Sequence, residues 1–515
     1  MPEKGLGQVF TSNLPIVVID TDGSEIPDEP KIISYMGIIY NGEGNQNSIN
    51  EPHNHYSGLI GIETRGNSTQ DFEKKSYGLE TRDIFEEDSA VSLFGMGKDE
   101  DWILHAMVID KSLLRIPLSF HLAQQSGQYA SEWKYVELFI DEDYQGVYIL
   151  TERIKRDDDR VDIAKMEVSD VSGDEVTGGY ILRLNWLDGS EGFRSDYNSK
   201  GGQKLLFQWY YPKAENLVSA QRNYIQDWMA EFEEALFSDN FYNSQGKRYS
   251  EYIDLKAFAD FFLINEFSKN SDGYKLSTYI HKDRDSRDGR LKAGPIWDFD
   301  QTYGLSIVCS SHITDGWLYL QNQSACGDLE SMPLWWEQLM TDSRFTRELK
   351  CQWNELREGP YHRDSIMSWI DEHAEMIREA RIRNFEKWDF IGERIWIEPD
   401  NFPQTYDEEI SYLKNWIDQR LAWLDNNIPG NCNDVVTGLD LSVENKITLF
   451  PNPAGNRVNI EGSFNELRIF NSTGAEIAKF SRQNQGMKLD ISNYTPGLYF
   501  FVFDDGAQKS ILIKE

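Results

Sequence analysis

The chain has 515 residues, with 51 Lys and Arg against 86 Asp and Glu, a net charge of −35. So acidic a chain repels nucleic acid and anionic membrane, which removes both as partners, and no apolar run is long enough for a transmembrane helix. Hydrophobic residues make up 40%, with 15 Trp, 25 Tyr and 27 Phe, enough to exclude global disorder, and the length predicts two or three domains.

The first residues, MPEKGLGQVF, lack a basic segment followed by an apolar one. Either the protein stays inside the cell or a signal peptide has been removed. Residues 13–22, 32–41, 59–66 and 75–83 read as strands separated by Asn/Gly-rich turns. Residues 112–126 read as a helix closed by Gly127, with Ser112 as its N-cap and Pro117 forcing a start near Ile116 or a kink. EWKYVELFI and GVYILTERI flank DEDYQ as a hairpin, and GGYILRL (178–184) adds a strand. From 216 the apolar spacing turns helical, over 218–237, 254–267, 333–358, 362–385 and 406–426. The expected organisation is α+β: a β-rich lobe at about 10–210 and a mainly helical lobe at about 211–427, together 1–427. A linker at 428–440 and a small all-β sandwich at 441–515 follow, the latter read from short strands with regularly spaced turns.

The four Cys contain no CxxC, so no zinc site is expected. Cys309 and Cys326 bracket a Ser/Thr/Asn/Gly-rich loop and are candidates to pair, and so few Cys leave room for one or two bridges. DRDSRDG (283–289) lacks the acidic spacing and terminal Glu of a calcium loop and reads as a charged hairpin turn.

Residues 265–304 carry the chemistry. Asp272 sits in an Asn/Ser/Gly turn after the apolar run AFADFFLINEF. A strand-like YIHK, a charged turn and KAGPIWDFD follow. Two acidic sites about 26 residues apart thus flank a hairpin, as in a phosphotransferase that orients a hydroxyl with one Asp and binds metal with another. Asp298 is the metal candidate, and Asp300, at i+2, shares its side of an extended segment and adds a second oxygen donor. Trp297 and Phe299 read as core residues rather than as a base-stacking pair.

RGNSTQDFEKKSYGLE (65–80), DWILHAMVIDKSLLR (101–115), VELFIDEDYQGVYILTERIKRDDDRVDI (136–163), GGYILRL and GPIWDFD (294–300) follow one another in the order of the spore coat protein H (CotH) kinase family. The chain resembles that family over roughly residues 10–430. The resemblance implies a bilobal, atypical protein-kinase-like domain that uses ATP with Mg²⁺ or Mn²⁺. It implies transfer of the γ-phosphoryl to Ser or Thr of a secreted or surface protein. It places a phosphate-binding cation in the KKSY block, Lys75 with Lys74 as the alternative, and an acidic partner for it at Glu152 in GVYILTE, with Arg115 cooperating. Arg65, ahead of Gly66-Asn67-Ser68, suits phosphate oxyanions. Asp272 becomes the hydroxyl-orienting residue. Ser277 occupies the position, five residues on, where protein kinases place an Asn as second metal ligand. A non-catalytic surface or adhesion protein on the same fold is the competing reading. A carbohydrate-active enzyme is a third, for which no carboxylate pair offers support.

The tail resembles the type A sorting domain of the type IX secretion system through Phe450-Pro451-Asn452-Pro453, Gly474, Leu489, Tyr494-Thr495-Pro496-Gly497-Leu498-Tyr499 and the basic stretch Lys509–Lys514. It implies the type IX secretion machinery as a partner, a secreted or outer-membrane surface-attached protein, and a signal peptide already removed.

Overall fold

A computed structural model describes residues 9–66, 68–187, 189–321, 326–327, 329–432, 448–461, 464–483, 487–503 and 508–514. Asn67 and most of the expected linker lie outside the described residues. The chain divides into two compact units, Met1–Asn433 and Asp434–Glu515. Among the described residues no helix is long and apolar enough to cross a membrane.

The first unit opens with the two-residue strands β1 (Thr11–Ser12) and β4 (Asn47–Ser48), paired with each other. Seven strands then close into a barrel in the order β2 (Ile16–Asp20), β3 (Ile32–Ile39), β5 (Tyr56–Arg65), β6 (Ser76–Arg82), β7 (Asp101–His105), β9 (Asp143–Glu152), β8 (Trp133–Ile140). Closure comes from a parallel pairing of β2 with β8, Ile16 opposite Glu137 and Ile19 opposite Ile140. Alternate residues point inward, so Val17, Ile19, Met36, Ile38, Ile60, Ile62, Leu79, Trp102, Leu104, Val136, Leu138 and Leu150 fill the interior. The β8–β9 turn uses Asp141 (φ 48°) and Glu142 (φ 65°), both left-handed as a two-residue hairpin of this twist requires.

Helix α1 (Arg115–Gln125) starts three residues after Ser112. The Asp110 carboxylate accepts the Arg115 N–H at 2.8 Å. Pro117 falls in the first turn, where its missing N–H has no intrahelical partner to lose. A second sheet runs β11 (Gly192–Asn198), β12 (Lys204–Tyr211), β10 (Tyr180–Leu184), β13 (Thr278–Lys282), β14 (Leu291–Ala293), all antiparallel. It takes two strands from beyond residue 211, β13 and β14, the hairpin expected around the charged turn at 283–289. Helix α2 (Ser219–Phe237) lies against β11, and α3 (Leu255–Ser268) is buried on all sides from Phe258 to Ser268. The region expected as one helix over 333–358 is α4 (Trp335–Leu339) and α5 (Ser343–Glu358), divided at Asp342, whose carboxylate caps α5. The 362–385 stretch likewise divides into α6 (Arg363–Met376) and α7 (Arg378–Lys387), and α8 (Tyr406–Asn427) ends the helical series.

Two disulfides, Cys309–Cys326 and Cys351–Cys432, use all four cysteines. The second joins α5 to the segment after α8 across 81 positions. A chain cut after Asn433 should melt as the first unit of the full protein does. A cut after Asn427 removes Cys432 and should cost about 4 kcal/mol, the chain-entropy value for a loop of this size. Thermal unfolding of the two truncations checks this; equal melting would assign the bridge no stabilising role.

In the second unit β15 (Thr448–Phe450), β16 (Arg457–Glu461) and β19 (Met487–Asp490) form one sheet. The other runs β18 (Glu476–Gln483), β17 (Phe464–Asn471), β20 (Gly497–Phe503), β21 (Gln508–Lys514). Val458, Ile460 and Leu489 from the first and Leu467, Ile469, Phe501 and Leu512 from the second share one core.

Candidate functional site

Helix α3 delivers the first acidic residue. The helix stops at Lys269 in a left-handed conformation (φ 46°), and the Lys269 ammonium donates to the carbonyls of Ile313 and Asp315, each at 2.9 Å. The turn after it is held by Asn270, whose side-chain oxygen accepts the Asp272 N–H at 3.1 Å. Its amide nitrogen donates to the Asp298 carbonyl at 3.3 Å. One side chain therefore ties the two acidic segments together. The Ser271 hydroxyl lies 3.0 Å from the Gln301 side-chain oxygen and adds a second tie. Lys275, buried, stands 3.6 Å from the Asp272 carboxylate.

The second acidic segment follows β14. Asp298 has a left-handed backbone (φ 56°), and so does Ser277 (φ 44°), whose hydroxyl donates to the Asp298 carboxylate at 2.5 Å. Left-handed backbone at a non-glycine residue costs free energy and persists only where the surroundings enforce it. Here two such residues meet side chain to side chain. The Ser277 N–H donates to Asn185 at the end of β10, at 3.3 Å. Asp300 is buried, with Trp297 and Phe299 packed into the core on either side of Asp298.

The electrostatics of this group are unbalanced. Burial raises the Asp298 carboxyl, while the Ser277 hydrogen bond and then the positive Arg65 pull it down, Asp272 pushes it up and Arg183 pulls it down. Burial, followed by Asp298, Asp272 and Asp110, holds Asp300 well above the carboxylate range. Among the described residues no cation offsets Asp300. Two guanidinium groups approach Asp298 without forming an ion pair with it. Arg65, at the end of β5, lies over the Trp297 ring at 5.7 Å. Arg183, in β10, is oriented by Gln208 at 2.9 Å and lies near the Tyr210 ring at 5.9 Å. A cavity of about 180 Å³ opens beside Arg65, lined also by Lys31, Glu63, Asp101, Trp102 and Arg153.

Arg65, Asp272, Ser277, Asp298 and Asp300 are thus brought to one place. Lys75 and Glu152 are not. The Lys75 ammonium, half-buried, donates to the Gln70 carbonyl. Lys74 is the buried member of the pair, and its three N–H groups go to the Ala106 and Val147 carbonyls, at 2.9 and 2.6 Å, and to the Asn384 side chain at 3.0 Å. Burial lowers it to about 7. Glu152 accepts from the Tyr129 hydroxyl and the Glu132 N–H, both at 3.0 Å, with Arg160 at 3.9 Å, so it pairs with neither lysine. Arg115 is fully buried between Asp110 and Glu409, and its Nε donates to the Thr302 carbonyl at 3.0 Å.

Sequence reasoning passed over Arg183, Asn185 and Asn270. Arg183 carried a signal, a charged residue within the apolar strand YILRL; the two Asn side chains carried none. Among the described residues, the one group of three acidic side chains with ligand atoms within 4.8 Å of one another is Asp99, Glu100 and Asp101. Lys155 already sits among them, at 3.2, 2.5 and 2.9 Å. Asp272, Asp298 and Asp300 do not converge so closely, and of the three it is Asp272 that has a lysine beside it, Lys275 at 3.6 Å.

A model of the CotH kinase protein family matches residues 62–424, which include every residue of this site, and a model of the secretion system C-terminal sorting domain matches residues 448–514. No curated protein matches the chain. The sorting domain implies secretion or attachment at the outer surface. With 62–424 covering well over half of its length, the chain belongs to the CotH kinase protein family.

Proposed function

We propose that the protein is an exported atypical kinase that transfers the γ-phosphoryl of ATP, with Mg²⁺ or Mn²⁺, to a Ser or Thr of a secreted or surface protein. The observation that carries the reading is the charge pattern around Asp298. Among the described residues Asp298 and Asp300 form no ion pair on one side, and Arg65 and Arg183 form none on the other. A metal-bound polyphosphate offers both missing charges at once. The donor set fits the ion: hard carboxylate oxygens from Asp298 and Asp300, with the Ser277 hydroxyl beside them. When bound, the ion supplies charge neutralisation at the phosphates. Arg65 and Arg183 face phosphate oxygens as planar donors. Asp272 accepts a hydrogen bond from the acceptor hydroxyl and takes its proton as that oxygen bonds to the γ-phosphorus and the bond to the β–γ bridging oxygen breaks, with ADP as the leaving group. Asn270 fixes the spacing of the two carboxylate segments, and positioning is what this reaction asks of a protein.

The non-catalytic surface-protein reading keeps one observation in its favour: the Lys–Glu pair expected for a kinase-like site is not formed, because Glu152 is held by Tyr129 and Glu132. The test compares two variants. Arg65→Met should weaken Mg²⁺- or Mn²⁺-dependent nucleotide binding by about tenfold or more, the worth of one charge-assisted bond. Lys75→Met should leave it unchanged. Isothermal titration with ATP and each metal decides. A wild-type protein that binds no nucleotide under any of these conditions leaves the surface-protein reading standing.

A further inference from the structure

One face of α8 is bonded to α3, which precedes the Asp272 turn, and to the segment that follows Asp300. Tyr406 donates to the Ser112 carbonyl at 3.0 Å, and Glu409 accepts from Arg115 at 2.7 Å. Tyr412 donates to the Gly304 carbonyl at 2.9 Å, and Trp416 to the His312 carbonyl at 2.7 Å. Arg420 donates to the Glu266 carbonyl at 2.9 and 2.6 Å, and to the carbonyls of Thr314 and Gly316 at 2.7 and 2.8 Å. These positions are three or four apart, so they form one stripe along the helix. At one end of the stripe Arg115 passes the contact on to the Thr302 carbonyl, two residues beyond Asp300. At the other end the Glu266 carboxylate, 3.3 Å from Arg420, collects the Leu318 and Tyr319 N–H groups at 2.8 Å and the Tyr274 hydroxyl at 3.1 Å. Tyr274 belongs to the turn of Asp272. Glu409 and Arg420 are both buried.

We infer that this stripe of α8 is a positioning element: Arg420 sets the Asp272 turn, and Tyr412 with Glu409 sets the Asp298–Asp300 segment. None of these residues touches the candidate site. A buried arginine donating to backbone carbonyls of separate segments costs desolvation that a merely apolar contact would avoid. What it adds is a fixed distance between two loops. The inference rests on the kinase reading for its consequence and on the geometry alone for its mechanism, and the test separates the two.

The variants are Arg420→Lys, which keeps the charge and loses the fork, and Tyr412→Phe, which removes one hydroxyl from a half-buried side chain. Lys414→Ala, on another face of α8, is the control. For Arg420→Lys, turnover should fall by roughly 10–100-fold, the scale of a small misplacement, with Mn-ATP affinity kept. For Tyr412→Phe, Mn-ATP affinity should fall about fivefold, the worth of one hydrogen bond. Amide hydrogen exchange at residues 270–276 should quicken in the first variant and at 298–304 in the second, with the barrel and the control unchanged. A common fall in melting temperature, affinity and turnover in both variants would mean a structural role only and overturn the inference, as would unchanged exchange in both. If wild-type protein binds no nucleotide, the kinase reading fails, and with it the consequence for turnover, while the exchange pattern still decides whether α8 sets the loops.

Discussion

Asp298→Asn should abolish metal-dependent nucleotide binding while the domain stays folded. The carboxylate accepts the Ser277 hydroxyl, and the amide oxygen of Asn accepts it equally well, so the local hydrogen bond survives. The charge does not. Losing an outer-shell partner of a metal site typically costs about 10–100-fold in affinity, and loss of a direct ligand beside a second raised carboxyl should exceed that. The pH dependence gives a second signature. Asp298 and Asp300 are both raised, by burial first. The folded, metal-free protein therefore holds protons there that the unfolded chain releases at about pH 4. Its stability from these groups is fully present below that value and declines as pH rises toward the raised folded values. Metal requires the deprotonated carboxylates, so its stabilising effect should grow across the same interval. Melting temperature measured with and without Mn²⁺ from acid to neutral pH should show the gap widening in wild type and flat in Asp298→Asn. A wild-type gap independent of pH would remove these carboxylates as the ligands.

What could be read from residue order was whatever local pattern determines. Most strands of the barrel, the buried helix α3 and the acidic turn after it announce themselves within a dozen residues; β7 does not, and Asp298 lies five residues past β14 with a left-handed backbone rather than in the extended segment its spacing to Asp300 predicts. Barrel closure does not, because it joins Ile16 to Glu137 by a parallel pairing that no local alternation encodes. The lysine pair shows the limit most clearly. Strand β6 begins at Ser76, so strand alternation does not govern which of Lys74 and Lys75 turns inward. The inward one is consumed by two carbonyls and by Asn384 of α7, 310 positions away. Glu152 ends its strand as expected, but its partners are Tyr129 and the Glu132 amide, which a kinase-like pattern does not specify. Arg183 entered the site because β10 is the central strand of the second sheet, a position known only once β12 and β13 are seen on either side of it.

Asp272→Asn should separate binding from chemistry. Asp272 lies in a turn whose backbone is fixed by Asn270 and whose flanking Lys275 sits 3.6 Å from the carboxylate. Its side chain is partly exposed, at 22%, in contrast to Asp300, so it stands where an incoming polypeptide can reach it. The role proposed for it is toward the acceptor hydroxyl, so its loss should leave the proposed metal ligands in place. Affinity for Mn-ATP should therefore stay near wild type. The rate should fall by about 10²–10⁴-fold, the usual cost of removing a positioned acid or base group. An Asn side chain still accepts a hydrogen bond but no longer opposes Lys275, so a small rise in affinity for the anionic nucleotide is the secondary expectation. Titration of Mn-ATP in parallel with an autophosphorylation assay reads both quantities. Equal loss of affinity in Asp272→Asn and Asp298→Asn would make Asp272 a metal ligand. Undiminished transfer in Asp272→Asn would remove the hydroxyl-orienting role and, with it, the mechanism that separates the two carboxylates.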